Sequence, residues 1–156
     1  MRKLKINEML FRRAFDRDAD FHDAFPRSPY LNRETGEILW AYEDDEDAYL
    51  DIGLPPYENQ AVRELITASP DRYLEIPGLP HGDHHYILRE FLDSDWTEDE
   101  ETKNIARNAY FGSIGGWKKS LDDDSIIHAF YDFRDHRTKQ IAEEFLRKQG
   151  IDPHWI

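Results

Sequence analysis

Ser28-Pro29-Tyr30-Leu31-Asn32-Arg33-Glu34-Thr35-Gly36-Glu37-Ile38-Leu39-Trp40-Ala41-Tyr42 decides the β part of the fold. Two extended segments, Ser28–Arg33 and Glu37–Tyr42, flank Glu34-Thr35-Gly36, where Gly36 supplies the positive φ that a short hairpin loop needs. Ile38, Trp40 and Tyr42 alternate with Leu39 and Ala41, giving one strongly apolar face and one mixed face. Downstream, Arg72–Ile76 reads as a further short strand stopped by Pro77. The other apolar runs have helical spacing. The chain is therefore expected to be α+β: predominantly helical, with a small antiparallel sheet built from a hairpin near 28–42 and a short strand near 72–76.

Outward from the hairpin, Asn7 caps a helix to about Asp16, with Met9, Leu10, Phe11, Ala14 and Phe15 at helical spacing. Phe21 and Phe25, four apart, suggest a short helical turn. Glu43-Asp44-Asp45-Glu46-Asp47 is five like charges in a row and reads as a solvated loop. Pro55-Pro56 leads a helix from Tyr57 to Ala68 with Ala61, Val62, Leu65 and Ile66 on its inner face. Asp83 is the expected N-cap of a helix to Asp93, and Thr97 with Glu100 forms a capping box for one to Tyr110. Phe111–Gly116 is a break before a short helix through Trp117 and Leu121. Asp124 or Ser125 then opens a long helix to Lys148, with Gly150 at its C′ position and Pro153 beyond. With no repeat and no dividing linker, a single domain over 1–156 is expected.

Composition narrows the function. The 156 residues are 39% hydrophobic and 13% aromatic, enough for a core of their own. A formal charge of -13 speaks against a general phosphate-backbone binder, which needs a basic face. Zero cysteines remove disulfides, thiolate nucleophiles and Cys-ligated zinc together. No signal-peptide core and no run of apolar residues long enough to span a membrane is present, so a soluble, cytoplasmic protein is expected. The basic start, MRKLKINEMLFRRAF, reads as an ordinary docking helix rather than a membrane-surface segment.

Polar residues on apolar faces are the candidate site. At 100° per residue, Ile126, Ile127, Phe130, Phe133, Ile141 and Phe145 share one stripe of the last helix, and Arg134 and Arg137 fall inside it. Guanidinium groups there must be paired or face a wet cleft. Two alternatives stand: internal salt bridges to acids, or an anion site made by converging forks. His84 lies beneath Leu88 and Phe91 and is either a satisfied core residue or an acid–base group. His85 points away. Lys118 joins His84, Arg134 and Arg137 as a candidate ligand residue. His81-Gly82-Asp83-His84-His85 tempts a metal reading, but helical ligands need i,i+3 or i,i+4 spacing and adjacent histidines point about 100° apart, so one ion is poorly served. Gly112-Ser113-Ile114-Gly115-Gly116-Trp117-Lys118-Lys119-Ser120 misses the phosphate-loop spacing. No metal and no cofactor is expected, and no catalytic residue can be named.

In this order along the chain, several segments resemble the bacterial uncharacterised protein family 0158. They are Tyr30–Ile38, Asp71–Pro77, His84-His85-Tyr86 with the apolar helix after it, Phe130–Asp135, Ile141–Phe145 and Gly150-Ile151. The resemblance supplies neither substrate nor catalytic residues, but implies that His84, Phe133, Arg134 and Asp135 lie in signature segments. Where the family carries a basic Gly-Arg-Gly-Ala-Phe-Arg-Arg-Phe stretch, this chain reads Phe111–Trp117, without arginine. Arg137, at a position usually small in the family, is expected to replace that lost charge.

The leading expectation is a small binding or regulatory module engaging a macromolecular partner. Its acidic surface suits a basic protein, with Trp40, Trp96, Trp117 and Trp155 as anchors. The alternative is an anion-binding enzyme or hydrolase using a cleft of His84, Arg134, Arg137 and Lys118. An acidic mimic of nucleic acid ranks last.

Overall fold

The expected hairpin forms. In the computed structural model, which describes residues 1–18 and 24–156, β2 (Arg27–Asn32) pairs antiparallel with β3 (Ile38–Tyr42). A third strand, β4 (Tyr73–Glu75), pairs antiparallel on the other side, giving the order β3-β2-β4. Pro29 joins the ladder toward β4 through its carbonyl, which accepts from the Ile76 N–H at 2.9 Å, and the Ile76 carbonyl that an N–H at position 29 would meet accepts from Arg17 Nη2 at 2.8 Å instead. The helical turn expected around Phe21 lies outside the described residues.

A second sheet was not expected. The basic start is not a docking helix from its first residues: Arg2–Ile6 is a strand, β1, and only Glu8–Phe15 is helix α1, capped by Asn7. β1 pairs parallel with β5 (Ile151–Trp155), in register from Arg2 with Ile151 to Ile6 with Trp155. Lys3-Leu4-Lys5-Ile6 alternates charged and apolar side chains, and Leu4 and Ile6 are buried while the lysines stay in solvent.

The acidic run is not a solvated loop. Asp44 caps α2 (Asp45–Ile52), its carboxylate accepting from the Glu46 N–H at 2.9 Å. The next carboxylates occupy the first turn, where the helix dipole favours negative charge. Gly53 closes this helix at φ 71°, and α3 follows over Pro56–Ala68. Two further caps differ from expectation. α4 (His81–Asp93) starts three residues early behind Pro80, leaving Asp83 in its first turn. Asp99, not Thr97, caps α5 (Glu100–Asn108). α6 is Ile114–Ser120, and α7 is Asp124–Lys148. No helix among the described residues is long and apolar enough to cross a membrane.

The chain divides into two compact units: Met1–Leu79 with Ala142–Ile156, and Pro80–Ile141. The first holds both sheets, α1 to α3 and the end of α7. Its ring cluster joins Phe11 to Phe15, Phe11 to Trp155 and Phe15 to Phe145. The second is helical and centred on Phe91, whose ring lies 4.8 Å from Trp96, 5.5 Å from Phe130 and 5.6 Å from Phe133. Along α7 the buried residues are Ile126, Phe130, Thr138, Ala142 and Leu146, while Ile127, Phe133, Ile141 and Phe145 are only half-buried. Steps of four advance about 40° beyond a full turn, so this line drifts around the helix instead of keeping one straight stripe.

The hairpin loop bears tightly on β1. A Cβ at Gly36, φ 78°, would lie 1.9 Å from the Lys5 carbonyl oxygen, whereas at Gly53 it would meet nothing within 4 Å. Gly53→Ala should cost about 1–2 kcal/mol, the left-handed penalty alone. Gly36→Ala should cost clearly more, because strain and steric overlap add; urea unfolding of both variants checks the order.

Candidate functional site

The residues expected to form an anion cleft have other partners. Arg137 Nε donates to Glu90 Oε2 at 3.2 Å and Nη1 to Gln140 Oε1 at 3.5 Å, so Arg137 takes the salt-bridge alternative. Arg134 is half-buried and is not free, and its carbonyl accepts from the Thr138 hydroxyl at 2.6 Å. Lys118 donates to the Tyr131 hydroxyl at 2.6 Å, with its ammonium 4.6 Å from that ring's centroid. His84 is half-buried on α4 and likewise engaged.

The early start of α4 brings His81 and His85 to i,i+4 spacing, with their Nε2 atoms 2.9 Å apart, and His85 Nδ1 meets the Tyr110 hydroxyl. No group of three or more His, Asp or Glu side chains poised for a metal ion occurs among the described residues.

The four tryptophans do not form one anchoring surface. Trp117 is 0% exposed and donates its indole N–H to the Ala106 carbonyl at 2.9 Å, which removes it as an anchor. Trp96 stacks on Phe91. Trp155 donates to Glu143 Oε1 at 2.9 Å, and Trp40 is covered by the Arg27 guanidinium at 4.1 Å. The last three are half-buried.

What the structure presents instead is the α2–α3 pair. Its anchor is polar. Asn59, wholly buried, accepts from the Tyr42 N–H at 2.9 Å and donates to the Tyr42 carbonyl at 3.1 Å and to Asp45 Oδ1 at 2.7 Å. Its side-chain amide thus does for Tyr42, on edge strand β3, what a neighbouring strand would do. Arg63, one turn on, donates to the same Asp45 oxygen at 2.7 Å. The Tyr42 hydroxyl donates to Asp51 Oδ2 at 2.6 Å, tying the end of α2 to the same residue. Burial, and then this bond, push the Tyr42 phenol above its ordinary value.

This anchor sets the face that α3 turns inward. Asn59 lies inside, the only buried residue of the helix, while Arg63 reaches Asp45 with its side chain still 41% exposed. The expected inner face is therefore corrected: Ala61 and Leu65 are exposed, and Val62 and Ile66 only half-buried. Tyr57 is 70% exposed, and Ala61, four residues on, continues its row on the solvent side. On α2, Tyr49, Leu50 and Ile52 are also in solvent. Carboxylates are dense in the same stretch of sequence. Between Glu43 and Glu64 the chain carries eight Asp and Glu and one cation, Arg63, which Asp45 already pairs. A hollow of about 410 Å³ lies on α3, lined by Gln60, Arg63, Glu64, Thr67 and Ala68.

The sequence carried a signal for this register. Asn59, Arg63 and Ile66 share one face, opposite Tyr57 and Ala61. Only the unfilled hydrogen bonds of Tyr42 decide which face goes inside. Compared with known proteins, the chain matches no family model, no curated protein and no solved structure.

Two outcomes follow from the anchor. Asn59→Ala strands both backbone groups of buried Tyr42 and should cost about 2–4 kcal/mol, read by urea unfolding. Tyr42→Phe should cost about 1 kcal/mol near neutral pH. Because the folded pKa of Tyr42 lies above its ordinary 10.0, the bond's contribution is full below that pH and fades as pH rises through the raised value. The wild type and Tyr42→Phe should therefore converge in stability on the alkaline side, followed by thermal unfolding against pH.

Proposed function

We propose that this chain is a binding module whose α2–α3 face receives a basic, amphipathic segment of another protein. The observation that carries the reading is an apolar helical surface, with Tyr57 and Leu65 in solvent, in a stretch of eight carboxylates of which Asp45 and Asp51 are engaged within the fold and whose one cation, Arg63, is already paired. Apolar side chains left in water beside a one-signed rim are the composition of an interaction patch. The rim steers a cationic partner, and burial of the aromatic and aliphatic side chains supplies the affinity.

A second copy of the chain is a poor occupant. It would bring the same carboxylates against themselves, and each copy carries -13. The hydrolase alternative has lost support, since Arg137 is bonded to Glu90 and Lys118 to Tyr131. Membership of family 0158 stands as a proposal on the quoted segments and names no substrate that competes with this reading.

The test is fluorescence anisotropy with a labelled helical peptide bearing leucines on one face and lysines on the other. Tyr57→Ser and Leu65→Ser should each weaken binding about tenfold, ~1.4 kcal/mol, while Leu10→Ser on α1 leaves it unchanged. Affinity should also fall with added salt. Equal binding by all three variants would mean adsorption to charge alone and overturn the reading. A dimer seen by sedimentation and abolished by Leu65→Ser would overturn it in favour of self-association.

A further inference from the structure

The first unit holds a second, oppositely charged feature. Arg2 on β1, Arg33 and Glu34 at the hairpin loop, Asp71 and Arg72 ahead of β4, and Gln149 after α7 line a hollow of about 350 Å³. Three guanidinium groups face two carboxylates there, a local excess of positive charge on a chain of net -13.

Arg33 is the informative member. Its Nη1 donates to the Gln149 backbone carbonyl at 3.3 Å and its Nη2 to the Gln149 side-chain oxygen at 3.2 Å. Both acceptors are neutral, so they orient the fork without balancing its charge. Arg33 Nε is buried and has no hydrogen-bond partner among the described residues. A half-buried cation with no carboxylate of its own is costly unless an anion balances its charge. Of the two acids, Glu34 is taken up by Arg72 at 3.2 Å, and Asp71 is exposed.

We propose that this hollow binds the phosphate group of a small phosphomonoester. Guanidinium groups match the tetrahedral oxyanion in geometry and charge, and Arg2, Arg33 and Arg72 all line the hollow. The hollow has roughly ten times the volume of a water, room for more than a bare oxyanion and within the range of small-molecule sites. The site is separate from the α2–α3 face and stands or falls independently of it.

The experiment follows the Arg33 Nε–H signal by ¹⁵N-resolved NMR of the full chain during titration with inorganic phosphate and with glycerol 3-phosphate, at constant ionic strength. The expected result is a saturable shift of that signal, at lower concentration for glycerol 3-phosphate. Arg2→Gln and Arg72→Gln keep the Arg33–Gln149 contacts and should each weaken the binding about tenfold. The proposal is overturned if Arg33 Nε–H does not shift with either compound, if both variants bind as the wild type does, or if inorganic phosphate binds as tightly as the ester.

Discussion

The Asn59 side-chain amide is the constraint on which the surface of this protein depends. Tyr42 ends an edge strand inside the first unit, and its backbone N–H and C=O need partners that no neighbouring strand supplies. A helix can satisfy both groups only by turning a polar residue inward. Once Asn59 faces the interior, Val62, Arg63 and Ile66 beside it are half-buried, and Tyr57, Ala61 and Leu65 are left in solvent. A local hydrogen-bond requirement thus creates an exposed apolar face on a helix whose composition promises a buried one.

The acidic run takes its place in the same arrangement. Asp44 caps α2, Asp45 receives both Asn59 and Arg63, and Asp51 receives the Tyr42 hydroxyl. Carboxylates that look like a solvated stretch therefore serve as cap, acceptor and clamp. Those left over give the apolar face its negative rim. The two features on which a basic partner depends share one physical origin.

In the second unit aromatic packing takes the leading role. Phe91 gathers Trp96, Trp117, Phe130 and Phe133 around one ring. That use of tryptophan competes with any role at the surface: Trp117 is consumed by the core, and half-buried Trp96 stacks on Phe91. Arg137 shows the same economy among charges, meeting Glu90 across 47 residues of sequence instead of an external anion.

The sequence by itself determined the β2–β3 hairpin, because Gly36 and the alternation around it are local signals. It also determined most helices, through caps and apolar periods that act within a few residues, and the α+β class that follows. Tertiary structure alone decided the rest. The parallel pairing of β1 with β5 joins residues about 150 apart, and neither strand announces its partner. The inward face of α3 was settled by two backbone groups of a residue 17 positions earlier. The fates of Arg137 and Lys118 were settled by which acid or hydroxyl the fold happened to bring near. Periodicity records which side chains share a face, but only the completed hydrogen-bond account of the folded chain says which face turns toward water.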